Sequence, residues 1–307
     1  MTTPETSLPA HELVLPEPAP TISRRVAGGL HRHPRIRLGA LLAAPVGWLV
    51  VAYLGSLSLF FISSFWSVDS FSGNISHTLT LDNYAEIVSQ PIYRTIALRT
   101  VVMASVVTLT TIVLAFPIAF YMAKIASPAT RGVLVVSILL PLWSGYLVKV
   151  YAWRIILGES GVLNGVLGPF GLQGPGYGDV AVWLVETYLW LPYMVIPIFA
   201  GLERVPGSLV EASSDLGART WTTFRRIVFP LVLPAVVAGS IFTFSLTLGD
   251  YITPTLVSNT RFMGNVIYDL MGVAGNQPLA AAYAMVPVLI MIVYLLIARR
   301  LGAFDAL

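Results

Sequence analysis

The sequence predicts an all-α membrane protein with six transmembrane helices, and three observations carry the prediction. First, 56% of the 307 residues are hydrophobic, 11% are charged, and the mean hydropathy is +0.79. Soluble domains carry roughly 25% charged residues, so a soluble chain of this length would lack the polar side chains to cover its surface. Second, six stretches are long enough to cross a hydrocarbon core about 30 Å thick, which takes roughly 20 helical residues: 38–65, 96–123, 133–153, 180–202, 231–253 and 279–297. Third, these runs are continuously apolar and lack the alternation of a barrel strand, so their backbone must be satisfied within helices. The absence of cysteine excludes disulfides, thiolate zinc sites, iron–sulfur clusters and a cysteine nucleophile. His11, His31, His33 and His77 all lie outside the apolar runs, so no buried histidine metal site is expected.

In chain order, residues 1–37 open with a stretch rich in Pro, Thr and Glu that has no apolar period and reads as largely disordered. The run after Arg37 is long enough to span and has no cleavage pattern behind it, so it reads as an uncleaved first helix. Residues 38–300 form the helical domain and 301–307 a short tail. Pro45, Pro117, Pro141, Pro192, Pro197 and Pro287 fall inside the apolar runs, where membrane helices tolerate them. The glycine-rich stretch 158–178 reads either as a flexible connector or as a surface that meets a partner. Of the 18 basic residues, 13 lie in the N-terminal segment, the Lys124–Arg131 turn, the 203–230 loop and the C-terminal tail. The excess on that side predicts that both termini are cytoplasmic. In a bilayer, the net charge of +3 is read through this asymmetry, and no nucleic-acid partner is expected.

Three ionisable residues fall within the predicted spans, away from their cytoplasmic ends: Lys149, Glu186 and Asp250. At 1.5 Å per residue each lies about 6–10 Å inside the outer boundary. A charge at such a depth costs at least ~2.5–3.5 kcal/mol unless it is paired or wet, which makes each a functional candidate. Trp183 and Trp190 lie near the face of Glu186, and Tyr251 follows Asp250; carboxylate beside aromatic ring is chemistry that holds an ammonium group. One reading is an acidic pathway for a cationic substrate, with Lys149 as counter-charge. The other is that Glu186 or Asp250 pairs with Lys149 and pins helices together, with the aromatics as an interface belt. Arg99 and Arg154 are close enough to outer helix ends to snorkel.

The loop 203–230 has an unusual build. Ser208 is placed to cap a short helix after Pro206, with Leu209, Ala212 and Leu216 at helical spacing and Glu211 and Asp215 four apart. Gly217 suits the left-handed turn that closes such a helix, and a second short helix from about Thr220 to Ile227 would end at Pro230. Periodicity alone also allows an amphipathic connector lying on the membrane surface.

The residues nevertheless match a known pattern. Glu211-Ala212, Gly217 six positions after the glutamate, Ile227 and Pro230 resemble the EAA loop, EAA-x3-G-x9-I-x-LP, of ABC importer permeases. Ser213 stands for the third-position alanine and Phe229 for the leucine. Asp82-Asn83-Tyr84, the Leu140-Pro141 kink and the stretch Ser245–Pro254, with its Gly249-Asp250-Tyr251-Ile252-Thr253-Pro254, are similar to the spermidine/putrescine branch of that family. The resemblance implies a type I importer (MetI-like) transmembrane domain in a bacterial inner membrane. It implies that Glu211, Ala212, Ser213, Asp215, Leu216, Gly217, Ala218 and Arg219 form a coupling helix that docks on a cytoplasmic ATPase. The implied partners are an ABC ATPase dimer, a second permease subunit (a homologue or another copy of this chain) and an extracytoplasmic solute-binding protein. No Gly-x-x-x-x-Gly-Lys-Ser/Thr phosphate loop occurs, so ATP and Mg are expected on the ATPase subunits and no cofactor or metal on this chain. A polyamine is the expected cargo. Other expected alternatives are an opine, an amino-acid derivative, iron or thiamine, and, from another class, an ATP-independent secondary carrier that relays cations through Glu186 and Asp250. No nucleophile–base pair suggests an enzyme.

Overall fold

A computed structural model describes residues 34–69 and 72–302. The predicted disorder before residue 34, with Arg24, Arg25 and Arg32, and the tail after residue 302 lie outside the described residues. The chain divides into two units, one ending at Leu59 and one beginning at Phe60. In the first, α1 (Pro34–Trp48), with Pro45 inside it as expected, passes through a wide turn (Leu49–Leu54) into the start of α2 (Gly55–Ser63), whose last residues from Phe60 belong to the second unit.

The second unit continues with a two-residue antiparallel pairing of β1 (Ser67–Val68) with β2 (Ile75–Ser76). Next comes α3 (Asp82–Ser89), whose Asn83 donates from Nδ2 to the carbonyls of Ser64 (2.9 Å) and Trp66 (2.7 Å). Tyr84 bonds the Ser64 hydroxyl at 2.6 Å. The Asp82-Asn83-Tyr84 stretch therefore staples the chain that leaves the first span. The remaining helices are α4 (Pro91–Phe120), α5 (Pro128–Trp143), α6 (Tyr146–Leu157), α7 (Val162–Leu167), α8 (Asp179–Glu203), α9 (Gly207–Asp215), α10 (Thr220–Thr223), α11 (Phe229–Gly249), α12 (Ile252–Val257), α13 (Met263–Gly272) and α14 (Gln277–Arg300).

Five described helices are long and apolar enough to cross a membrane, and the bent pair α5–α6 makes a sixth when its two halves are counted as one span. The core is a trio: α4, α8 and α11 pack on one another. They bury small and β-branched residues, among them Ala104, Val107, Ala115, Val185, Val195 and Val232. Close packing of small side chains is how helices associate where lipid removes the hydrophobic drive. Several hydroxyls within the spans return to their own helix: Thr100 bonds the Ile96 carbonyl at 2.8 Å, Thr108 that of Ala104 at 2.7 Å.

Two predicted spans are broken. The third bends by 94° between α5 and α6, where Ser144 and Gly145 are extended. Pro141 has no N–H for the last turn of α5, and Ser144 closes that turn by bonding the Pro141 carbonyl through both N–H and hydroxyl. The fifth begins earlier than expected, at Thr220, and its helix ends at Gly249. Asp250 is therefore not inside a helix: it sits in a break before α12. Pro230 does not end the preceding helix either. A wide turn over Phe224–Val228 precedes it and absorbs its missing donor, so one helix continues through it. The glycine-rich 158–178 stretch is more than a flexible connector. Asn164 knits it by donating to the Gly158 and Glu159 carbonyls and accepting from Gly174 N–H.

Candidate functional site

The loop after α8 begins where two basic residues of the α4–α5 turn tie it down. Lys124 donates to the Val205 carbonyl at 2.9 Å. Arg131 pairs with Glu203 at 3.0 Å while its other nitrogens hold the carbonyls of Met122 and Ala123. Helix α9 starts directly after Pro206, so Ser208 lies in its first turn and caps nothing. The last turn closes on Gly217, whose φ of +75° is a left-handed conformation that side chains resist. Ala218 N–H then bonds the Ser213 carbonyl at 3.1 Å.

The face that α9 turns inward differs from the one its apolar spacing suggests. Ser213 is buried and shares a 2.8 Å hydrogen bond with Thr223 of α10, and Val210 is half-buried. Leu209, Ala212 and Leu216 point outward, with Leu216 88% exposed; Glu211, Asp215 and Arg219 are exposed beside them, as is Gly217, and Ala218 is half-buried. Between α9 and the end of α4 opens a cavity of about 940 Å³ lined by Phe116, Phe120, Val210, Glu211, Trp221 and Phe224 among others. The loop thus presents an outward apolar ridge with acidic flanks, carried on a short helix that is hollow beneath. That surface suits a protein partner better than solvent.

At the other candidate, the two helix breaks meet. Asp250 accepts the Ile252 N–H at 2.9 Å and the Thr253 N–H at 3.3 Å through Oδ1, which starts α12. Through Oδ2 it accepts the Tyr146 O–H at 2.5 Å, and the same phenol meets the Thr253 hydroxyl at 2.8 Å. Tyr146 is the first residue of α6, so one tyrosine joins the break in the third span to the break in the fifth. Its ring stacks on Trp190, centroids 6.0 Å apart and planes 9° from parallel. Asn265 braces the break from behind, donating to the Tyr251 carbonyl (2.9 Å) and the Thr255 hydroxyl (2.6 Å). Gly264 lets α13 come this close: a Cβ there would lie 2.7 Å from the Asp250 carbonyl oxygen.

Glu186 is 1% exposed on α8, and its Oε2 has no hydrogen-bond partner. The pairing of Glu186 or Asp250 with Lys149 is not observed. Among the described residues the ion pairs are Arg131–Glu203 and Arg261–Asp269, and half-buried Lys149 joins neither carboxylate. The bend after α5 places Lys149 in the separate helix α6. Trp183 is committed elsewhere, donating to Thr110 on α4 at 3.0 Å, and Tyr251 stacks on Tyr268 at 4.8 Å. The structure brings Glu186, Trp190 and Asp250 together, with the side chains of Trp183 and Tyr251 engaged by Thr110 and Tyr268 and Lys149 paired with neither acid. Sequence reasoning missed Tyr146, Thr253, Gly264 and Asn265. The Ser144-Gly145 pair ahead of Tyr146 was the legible signal for the first. Arg99 also finds a partner, the Arg261 carbonyl at 3.4 Å, and Arg154 lies over the Tyr177 ring. Among the described residues no cluster could hold a metal ion.

Residues 96–303 match the family described as binding-protein-dependent transport system inner membrane component. The chain is 41% identical over 310 residues to the inner membrane ABC transporter permease protein YdcU of Escherichia coli (strain K12), which covers 96% of this chain and 99% of that one. It is 31% identical over 261 residues to the spermidine/putrescine transport system permease protein PotB of Salmonella typhimurium (strain SL1344), covering 83% and 90% of the two chains. The fold matches a chain in the crystal structure of a bacterial ABC transporter involved in the import of the acidic polysaccharide alginate. The TM-score is 0.70, the identity 15%, and the match covers 91% of this chain and 98% of that one. The chain belongs to the family of binding-protein-dependent transport system inner membrane components, and is the multi-pass permease of an ABC importer, a transport subunit rather than an enzyme.

Proposed function

We propose that this permease imports a small organic cation of the polyamine class, with spermidine or putrescine as the leading cargo. The carrying observation is the pair of buried carboxyl groups, Glu186 and Asp250, beside Trp190 and without a cationic partner among the described residues. A buried carboxylate lacking a counter-charge is costly, and a cargo that brings its own ammonium groups supplies one. The name of the PotB relative supports the same class. Glu186, Trp190 and Asp250 are the core of the substrate pathway, with Trp183, Tyr251 and Lys149 at its edge.

The loop 203–230 docks a cytoplasmic ABC ATPase through Leu209, Glu211, Ala212, Asp215, Leu216 and Gly217, with Ser213 as its internal tie and Ala218 and Arg219 closing the turn. ATP and Mg are bound by that ATPase dimer. A second permease subunit completes the pathway, an extracytoplasmic binding protein delivers the cargo, and both termini lie in the cytoplasm. Closure of the ATPases on ATP draws the coupling helices together and turns the bundle outward; hydrolysis resets it. Uptake of radiolabelled putrescine and spermidine by cells expressing the full transporter, with thiamine and an opine as competitors, tests the cargo. Saturable uptake blocked by excess polyamine alone is the expected result. Uptake blocked by another solute class and indifferent to polyamine overturns it.

A further inference from the structure

Four buried polar atoms among the described residues make no hydrogen bond: Glu186 Oε2, Thr187 Oγ1, Trp190 Nε1 and Thr247 Oγ1. Three of these residues fall within a little over one turn of α8, and Thr247 faces Glu186 from the last turn of α11. Buried polar groups are almost always bonded, and each one left unpaired costs roughly 1–3 kcal/mol. The Thr247 hydroxyl lies close to the Glu186 carboxyl without reaching full hydrogen-bond geometry, and Thr187 Oγ1 and Trp190 Nε1 face no partner, so the cluster has room for a further donor and acceptor from outside the chain. Tyr146 shows what kind. Its ring lies parallel to the Trp190 indole and its hydroxyl donates to the Asp250 carboxylate. Contact with an aromatic face together with a hydrogen bond donated to a carboxylate is also what an alkylammonium would make there.

We propose that Glu186, Asp250 and Trp190 form an intramembrane binding site for a primary ammonium group, and that Tyr146 occupies it as a stand-in until the cargo displaces it. The assignment rests on the cationic-cargo reading above. It divides the two acids by state. In the structure Asp250 is satisfied by Tyr146 and by the start of α12, while Glu186 faces only the nearby Thr247 hydroxyl. The arriving ammonium takes Glu186 first, then competes with the phenol for Asp250 Oδ2. The extended pair Ser144–Gly145 directly before Tyr146 gives α6 a joint about which the ring can withdraw. Thr247 and Thr187 offer further acceptors to a group with three N–H donors.

The test uses the complete transporter in lipid nanodiscs, without the binding protein, and equilibrium binding of radiolabelled putrescine. Glu186→Gln should raise Kd about tenfold or more, as expected for a lost charge-assisted hydrogen bond. Tyr146→Phe keeps the ring but removes the competing donor, and should lower Kd about three- to tenfold by freeing the competent state. Damage to the fold weakens binding, so tightening cannot arise from it; if Glu186→Gln fails to assemble, the Tyr146→Phe measurement decides alone. Values for both variants within twofold of wild type overturn the site, as does putrescine import without measurable binding. A wild-type transporter that neither binds nor imports putrescine or spermidine overturns the polyamine reading itself.

Discussion

The loop 203–230 and the junction of the two broken spans are built on opposite terms. The loop turns apolar residues outward, is hollow beneath, and holds its two arms together by the Ser213–Thr223 hydroxyl pair and the turn at Gly217. The junction turns polar residues inward and braces them with Tyr146, Thr253 and Asn265 around Asp250. One has hydrophobic surface without a covering, the other polar groups without bonds. Each lacks what a different partner would bring, a protein in the first case and a cation in the second.

That contrast can be broken most severely at Glu211. Charge reversal by Glu211→Lys should abolish uptake, a loss of about a hundredfold or more if a buried interfacial charge is inverted, while the permease remains in the membrane. Normal uptake by this variant removes the loop's coupling role. Leu216→Asp puts a charge on the exposed ridge. ATPase co-purification should fall about tenfold, since a well-packed apolar contact carries roughly 1–3 kcal/mol; melting of the isolated permease should not move. An unchanged yield of ATPase would mean the ridge faces something else. At the junction the order reverses, and stability should suffer first. Gly264→Val drives a side chain into the Asp250 carbonyl and should destabilise by about 1–3 kcal/mol, read as a lower melting temperature in detergent. The smallest effect belongs to Ser213→Ala. Loss of the hydrogen bond to Thr223 should cost about 0.5–1.5 kcal/mol locally, seen as faster hydrogen exchange over 207–219 with uptake retained.

How much of this was readable beforehand depended on the range of the signal. The spans were legible because burial in lipid imposes a local demand, a long apolar run, on each segment. The breaks were not, because Ser144-Gly145 and Asp250-Tyr251 are embedded in such runs and average hydropathy passes over them. Yet Asp250 followed by Ile252, Thr253 and Pro254 is the chemistry of a helix start, an acceptor and then a proline in the first turn. The contact of Tyr146 with Asp250 spans 104 positions and leaves no local pattern. The loop 203–230 was legible as a motif but not in its orientation. Apolar spacing at Leu209, Ala212 and Leu216 ordinarily marks a face turned to the protein's own core, and here that face is turned away.

The bend in the third span has a consequence for how the protein is made. At 1.5 Å per residue α5 rises about 24 Å and α6 about 18 Å, each short of a hydrocarbon core about 30 Å thick. Neither half is a stop-transfer segment by itself, and the bend prevents the two from adding end to end. The polar turn between them is tolerable at depth only once protein surrounds it, and its Tyr146 clasp comes from residues synthesised a hundred positions later. The clasp at Tyr146 can close only once Asp250 has been synthesised, so a chain truncated before Asp250 should lack it and hold the bend less firmly.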